Sequence, residues 1–194
     1  TLINTIADLA NSTNYALSKC GFPTHQTDAY NLFVGNGINK LFERALPEGA
    51  KTEENILRVR NLFLPHYDKH GHSYSEPYPG IAELLNTLQD KGLKLAVASN
   101  KYQDATEKMV AHFFPAIAFV SVLGQREGIP PKPYPSIVNE ILAKAGAGKE
   151  ETLYIGDSGV DMETVRNSGV IGAGVTWGFR PRKELERFAP HYII

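Results

Sequence analysis

The spacing of apolar residues along the chain changes near residue 73. Before this point apolar side chains recur every three to four residues, as at Ile6 and Leu9, which is the spacing of an amphipathic helix. Thr52 stands where it can cap a later helix of the same kind. Residues 5–76 are therefore predicted to form an all-helical subdomain.

From residue 77 onward, short apolar runs alternate with helical patterns. Strands are predicted over 93–99, 117–123, 152–156, 171–175 and 192–194, and helices over 79–91, 102–113, 135–145, 161–168 and 183–188. Alternation of this kind predicts parallel strands joined by helical crossovers. The run 93–99 is mostly apolar, as in a parallel strand buried on both faces. The predicted fold is therefore α/β, a Rossmann-like parallel sheet core over 77–194 with the helical segment inserted.

The charge balance limits the classes of partner. Lys and Arg number 20 and Asp and Glu 21 among 194 residues, for a net charge of −1. We therefore expect no nucleic-acid partner bound through bulk electrostatics. No apolar run approaches the about 20 residues of a membrane span, so no membrane partner is expected. The single Cys20 and the lack of a leader favour a cytoplasmic location, and a monomer or homodimer is expected.

Two carboxylates follow the predicted strand 152–156. Asp157 and Asp161 lie four residues apart, and ligand sites of open α/β sheets form beyond the carboxyl ends of strands. Such oxygen ligands suit Mg²⁺, which takes few protein carboxylates and several waters or phosphate oxygens. The alternative is structural: Asp157 caps the next helix and Asp161 lies in its first turn. Spacing alone leaves both interpretations open.

Ser99, Asn100 and Lys132 are the other candidates. Ser99 and Asn100 follow Ala98, the last apolar residue of the predicted strand 93–99, and can donate hydrogen bonds to phosphate oxygens, although both residue types are also common helix caps. Lys132 lies in a Pro-Pro-Lys-Pro segment, where a lysine is usually a solvated loop charge. The prolines restrict the loop, and a cation held near carboxylates and a hydroxyl suits phosphoryl chemistry.

Other sequence features give weaker signals. His66, His70 and His72 have near-helical spacing but no surrounding cysteines or acids, and are predicted to be surface residues. The segment 35–37, Gly-Asn-Gly, follows no predicted strand and is therefore interpreted as a hinge or substrate loop. Cys20 is placed within a helix without an evident partner, so acyl transfer through a cysteine is unsupported.

The ordered set of candidates resembles the haloacid dehalogenase-type phosphatases, and among them the phosphoglycolate phosphatase-like group. The segment 97–101, Val-Ala-Ser-Asn-Lys, is similar to the second motif of that family. Lys132 is similar to the third motif, and Gly156 to Asp161 to the fourth. The segment 33–37 with Leu41 and Arg44 resembles the cap of phosphoglycolate phosphatases. The resemblance covers nearly the whole chain.

The resemblance implies a Mg²⁺-dependent phosphatase that acts on a small phosphorylated metabolite, with 2-phosphoglycolate as first candidate, through an aspartyl-phosphate intermediate. Asp157 would bind the metal directly, and Asp161 would orient a metal-bound water or Lys132. Ser99 and Asn100 would bind phosphate. The helical segment would be a mobile cap that selects the leaving group, with Gly37 in its substrate loop. Lys132 would stabilise both the nucleophile and the transferring group.

The first motif of the family, Asp-x-Asp-Gly-Thr-Leu, is represented only by Thr1 and Leu2. The resemblance therefore puts the nucleophile and the acid/base Asp upstream of Thr1, together with a core strand to which residues 1–4 connect. The chain as given is expected to be inactive and, without that strand, unable to fold stably. Two alternatives stay open: a β-phosphoglucomutase-like phosphotransferase, and a non-catalytic phosphate-binding module that lacks the nucleophile.

Overall fold

The computed structural model describes residues 1–194, and the contacts of the backbone divide them into two compact units. One, called here the helical unit, is Ile3–Glu76. The other, called here the α/β unit, comprises Thr1–Leu2 and Pro77–Ile194. No helix of either unit is long and apolar enough to cross a membrane. That the helical segment acts as a cap stays a prediction.

The helical unit begins with a two-residue strand and continues as helices. Its elements are β1 Ile3–Asn4, α1 Ile6–Lys19, α2 Tyr30–Phe33, α3 Ile38–Ala45 and α4 Glu53–His70, and short 3₁₀ turns cover Thr27–Ala29 and Glu48–Ala50. The predicted cap of α4 is confirmed, because the Thr52 hydroxyl oxygen accepts a hydrogen bond of 3.2 Å from the backbone N–H of Asn55. Cys20 lies at the C-terminal end of α1, not within it.

The core of the helical unit is aromatic. Phe42, Phe63 and Tyr67 are almost completely buried, and the rings of Phe63 and Tyr67 stack at 5.1 Å between centroids. Helix α2 was not predicted, because four residues are too few to show helical spacing. It delivers the buried Tyr30, whose hydroxyl donates a 2.6 Å hydrogen bond to Asn14 Oδ1. A buried phenol needs such a partner, so α2 is fixed by packing and by this bond.

The α/β unit alternates strands and helices as predicted. After β2 Glu76–Pro77, which spans the boundary between the units, its elements are α5 Ile81–Asp90, β3 Leu95–Tyr102, α6 Gln103–Phe113, β4 Phe119–Gln125, α7 Ser136–Ala145, β5 Leu153–Gly156, α8 Gly159–Ser168, β6 Ile171–Gly174, α9 Arg182–Glu186 and β7 Tyr192–Ile193. A 3₁₀ turn at Lys149–Glu151 precedes β5. Leu123, Met162 and Leu185 lie in its buried core.

Strands β3 to β7 form two parallel sheets. One sheet pairs β3 with β4, and the other has the order β5-β6-β7. Each of β3 and β5 therefore has one edge without a strand partner. On β5 the alternate side chains of Leu153 and Ile155 are 51% and 38% exposed, whereas Gly156 is buried. The prediction of an α/β core of parallel strands is confirmed.

Strand β3 differs from its prediction in position and burial. Leu93 lies in the turn after α5 and is 55% exposed, so the strand begins at Leu95. It then continues to Tyr102, which pairs with Gln125 after an irregularity in register. Most residues of β3 are only partly buried and Ala96 is exposed, so the prediction that both faces of this strand are buried was wrong. Ser99 consequently lies within the strand rather than after it.

Candidate active site

A buried ion pair joins two of the predicted residues. Lys132 Nζ donates a 2.7 Å hydrogen bond to Asp161 Oδ1, and both side chains are about nine-tenths buried. Burial disfavours both charges, but the Lys132 ammonium outweighs it and lowers the pKa of Asp161 to about 2. Burial also opposes the charge of Lys132, but the Asp161 carboxylate outweighs this effect and raises the pKa of Lys132. Both groups are therefore charged at neutral pH.

Tyr154 is a third member of this cluster and was not predicted from the sequence. Its hydroxyl lies 3.0 Å from Lys132 Nζ and 3.0 Å from Asp161 Oδ1, and the carbonyl oxygen of Ala98 accepts a further 3.1 Å bond from Nζ. Burial raises the pKa of Tyr154, so its phenol stays protonated. The available signal was strand alternation, because β5 directs Tyr154 and Gly156 to the less exposed side.

Ser158 connects the strand end to helix α8. Its hydroxyl donates a 2.6 Å hydrogen bond to Asp161 Oδ2 and accepts one of 3.3 Å from the backbone N–H of Asp161. Ser158 is thus the N-cap of α8, so the interpretation of Asp157 as the cap is wrong. Asp161 Oδ2 also accepts a 3.3 Å bond from the N–H of Asp157. Asp161 does lie in the first turn, as predicted, but its carboxylate faces Lys132.

Asn100 holds the backbone of Lys132. Its Oδ1 accepts a 2.8 Å hydrogen bond from the Lys132 N–H, and its Nδ2 donates a 3.0 Å bond to the Lys132 carbonyl. This pair of bonds joins β3 to the proline-rich loop between β4 and α7. Ser99 Oγ accepts a 3.1 Å bond from the N–H of Lys101, which leaves its hydroxyl proton to donate elsewhere. Phosphate binding by Ser99 and Asn100 stays a prediction.

Asp157 is buried to 7% exposure, and no lysine or arginine side chain pairs with it. Its Oδ2 accepts a 2.9 Å hydrogen bond from the N–H of Phe179. Its Oδ1 accepts bonds from the backbone nitrogen of Thr1, at 2.7 Å, and from the Thr1 hydroxyl. Burial and the negative charge of Asp157 raise the pKa of Tyr78 to about 12. Backbone nitrogens and the Thr1 hydroxyl, rather than a lysine or arginine side chain, therefore contact this carboxylate.

The two predicted metal residues differ in their fit to Mg²⁺. Both oxygens of Asp161 are engaged by Lys132, Tyr154 and Ser158, which opposes direct coordination. Asp157 fits, because Mg²⁺ can be held by one or two carboxylates together with waters and substrate phosphate. No group of three or more His, Cys, Asp or Glu side chains is placed to hold a metal.

Gly37 lies in the helical unit, whereas Ser99, Asn100, Lys132, Asp157 and Asp161 all lie in the α/β unit. It has a φ of +85° and stands before α3. The neighbouring Asn36 accepts a 2.7 Å hydrogen bond from Arg44 Nη2, and Arg44 Nη1 donates one of 2.9 Å to the carbonyl of Phe33. The loop is thus held by the arginine that the cap resemblance included. A substrate role of Gly37 stays a prediction.

His66 was predicted to lie on the surface, but its ring packs against residues of α1. It is partly buried, its ring stacks on Tyr15 at 4.2 Å between centroids, and its Nδ1 lies 3.0 Å from Ser12 Oγ. The period of α4 places it toward α1, with which α4 packs. Hydrophobic spacing did not reveal this, because an imidazole is polar and yet packs like an aromatic ring.

Comparison with known proteins gives one consistent result. The profile described as haloacid dehalogenase-like hydrolase matches residues 1–175. A phosphoglycolate phosphatase of Vibrio parahaemolyticus is 29% identical over 198 residues, which cover all of this chain and 87% of that protein. One from Aquifex aeolicus is 30% identical over 184 residues, 92% of this chain and 82% of that protein.

Solved structures agree. The crystal structure of a proposed phosphoglycolate phosphatase from Lactobacillus delbrueckii is 31% identical, with a TM-score of 0.92, and the match covers all of this chain and 90% of that one. The profile match spans both the helical segment and the positions of Ser99, Lys132 and Asp157. The chain therefore belongs to the haloacid dehalogenase-like hydrolase family.

Proposed function

We propose that this protein is a Mg²⁺-dependent phosphatase that hydrolyses a small phosphomonoester, with 2-phosphoglycolate as the first candidate. One observation carries the proposal: Lys132, held by Asp161 and Asn100, and Asp157, a buried carboxylate without a basic side-chain partner, belong to the same α/β unit. Phosphoryl transfer needs such fixed charge rather than elaborate covalent chemistry from the protein. The phosphoglycolate phosphatases that the chain resembles support the choice of substrate.

In the proposed mechanism each residue has a separate task. Asp157 would hold Mg²⁺, and the ion would supply positive charge to the phosphate oxygens. Lys132 presents a fixed positive charge to the transferring group, where charge stabilisation is the largest contribution. Ser99 donates its free hydroxyl proton to a phosphate oxygen, and Asn100 keeps the loop of Lys132 in place. Asp161 keeps Lys132 charged and oriented. The nucleophilic Asp, which the family resemblance assigns before Thr1, would attack phosphorus and form the aspartyl-phosphate as the P–O bond to the leaving group breaks. The second Asp of the same motif would protonate the leaving oxygen and then activate the water that releases inorganic phosphate.

The helical unit would select the leaving group. In this proposal the loop around Gly37, which Arg44 fixes, contacts the organic part of the substrate. Selection by a separate unit fits a family in which one core serves many substrates. Transfer to water rather than to a sugar distinguishes a phosphatase from a phosphotransferase, and product analysis decides between them.

The test is an assay of phosphate release by the protein expressed from its whole gene. 2-Phosphoglycolate and a panel of small phosphomonoesters are compared with Mg²⁺ and with EDTA. We expect Mg²⁺-dependent release, and a loss of more than about 100-fold in kcat/KM for Asp157→Asn, because even groups that only support a metal ligand cost up to about 100-fold. Asp104→Asn, at an exposed position on α6, is the matched control.

Three results would contradict the proposal. Absence of phosphate release from every ester in the presence of Mg²⁺ would favour a non-catalytic phosphate-binding module. Phosphate release that Asp157→Asn does not reduce would remove Asp157 from the mechanism. Phosphate transferred to a second sugar molecule would indicate the phosphotransferase alternative.

A further inference from the structure

Tyr154 has a place in the site but no part in the mechanism above. Its hydroxyl stands between the two charged groups, 3.0 Å from Lys132 Nζ and 3.0 Å from Asp161 Oδ1. Tyr154 therefore contacts Lys132 through its hydroxyl oxygen.

The direction of the Lys132 ammonium depends on all of its acceptors. A lysine ammonium has three protons, and three acceptors surround it: Asp161 Oδ1, the Tyr154 hydroxyl and the carbonyl of Ala98. Two acceptors would still allow Nζ to move about the line that joins them. A third acceptor out of that line fixes the position of the nitrogen.

We propose that Tyr154 is a positioning residue, whose phenol oxygen sets the direction in which Lys132 presents its charge to the transferring phosphoryl group. The proposal rests on the proposed function, because it assumes that Lys132 acts on that group. The phenol suits this task because it can accept a bond from Nζ and at the same time donate its own proton to Asp161.

A phenylalanine variant separates the hydrogen bonds of the Tyr154 hydroxyl from the packing of its ring. Tyr154→Phe keeps the ring and its packing but removes both hydrogen bonds of the hydroxyl. The ion pair between Lys132 and Asp161 stays, so Lys132 remains charged while its nitrogen loses one of three fixed contacts. Tyr192→Phe is the matched control, since Tyr192 is 59% exposed on β7 of the same unit.

The first measurement needs no enzymatic activity. In protein labelled with ¹⁵N-lysine, buried and hydrogen-bonded ammonium protons exchange slowly with water, and Lys132→Arg identifies the signal. We expect exchange of the Lys132 ammonium protons to become about tenfold faster in Tyr154→Phe, the size of one lost hydrogen bond to a charged group. Tyr192→Phe should leave the rate unchanged. A rate within twofold of wild type in Tyr154→Phe would overturn the proposal.

The second measurement compares inhibition by orthovanadate, which mimics the geometry of the transition state, with inhibition by inorganic phosphate. A residue that positions the charge should affect the binding of vanadate more than the binding of phosphate. In Tyr154→Phe we therefore expect Ki for vanadate to rise about tenfold and Ki for phosphate to stay within twofold. Ki does not depend on the folded fraction, so loss of stability alone cannot produce this difference. Equal changes in both constants would overturn the proposal.

The two measurements separate this proposal from the proposed function. If the protein releases phosphate from no ester, the proposed function fails, and the exchange rates still decide whether Tyr154 fixes Lys132. If the wild type is active and both readouts of Tyr154→Phe equal those of Tyr192→Phe, the positioning role fails and the proposed function stands.

Discussion

Gly178 approaches the side chain of Asp157 so closely that no other residue fits there. A Cβ at position 178 would lie 2.1 Å from Asp157 Cβ and 2.2 Å from its Oδ2. The next residue, Phe179, donates its N–H to the same oxygen. The segment after β6 thus lies directly against the carboxylate that we propose as metal ligand, and the missing side chain allows this contact.

Gly178→Ala is therefore expected to displace Asp157. Overpacking of this kind costs about 1–3 kcal/mol in the free energy of unfolding. The displacement should also weaken Mg²⁺ binding, measured as the Mg²⁺ concentration that gives half-maximal phosphate release. Gly49→Ala is the control, since a Cβ there meets no atom within 4 Å. If Gly178→Ala needs no more Mg²⁺ than wild type, the contact does not hold the carboxylate in place.

The ion pair of Lys132 and Asp161 should make stability depend on pH in two separate ranges. The pKa of Asp161 is lowered to about 2, so its contribution is complete above the unfolded value of about 3.9 and is lost as the pH falls toward 2. The pKa of Lys132 is raised, so its contribution is complete below the unfolded value of about 10.4 and is lost only at higher pH.

Asp161→Asn tests this dependence by urea unfolding between pH 2 and pH 7. The variant leaves the buried Lys132 charge without its carboxylate, and we expect a loss of about 3–5 kcal/mol at pH 7. The difference in the free energy of unfolding between wild type and variant should become smaller as the pH falls from about 4 to 2. A difference that is constant over this range would show that the ionised carboxylate does not supply the stability.

Asn100→Ala removes both hydrogen bonds to the backbone of Lys132. We expect a loss of about 1–3 kcal/mol in the free energy of unfolding, because the amide and carbonyl of a partly buried loop lose their partners. Hydrogen exchange of the peptide that contains Lys132 should become faster. Asn86→Ala is the control, since Asn86 is exposed and its Nδ2 contacts only a carbonyl of its own helix. Unchanged exchange in Asn100→Ala would contradict this role.

Arg44→Lys tests the loop around Gly37 in the helical unit. Lysine keeps the charge but cannot reach Phe33 and Asn36 together, because it lacks the planar fork of the guanidinium. We expect faster hydrogen exchange in the peptide that covers 33–37 and, under the proposed function, a higher KM with kcat nearly unchanged. Arg58→Lys, at an exposed position on α4, provides the comparison. A change in kcat alone would contradict a role in substrate selection.

Much of the fold follows from local signals in the sequence. The helix predicted over 135–145 agrees with α7 to within one residue, and Thr52 caps α4, because periodicity and capping act over one or two helical turns. The end of β3 was not predictable in the same way. Its extension past Ser99 to Tyr102 depends on pairing with β4, a contact that local spacing does not encode.

In the candidate site, too, the residue types could be predicted from the sequence, whereas the contacts between distant segments could not. Lys132 and Asp161 were grouped because their residue types suit one chemistry, and the structure joins them at 2.7 Å. Tyr154 was not predicted, because its contact with Lys132 joins β5 to the proline-rich loop, and local spacing does not show such a contact. The hydrogen bonds of Asn100 to the Lys132 backbone were not predicted, since an amide serves a backbone or a ligand equally well and sequence gives no distance.

Lys132 is held at both ends, by Asn100 at its backbone and by Asp161 at its ammonium. A free lysine side chain loses up to about 2 kcal/mol of rotamer entropy when a ligand orders it. Here that loss has already occurred during folding. An anion that meets Lys132 therefore binds an ordered cation, and the stability of the α/β unit, rather than the binding event, bears the entropic cost of placing the charge.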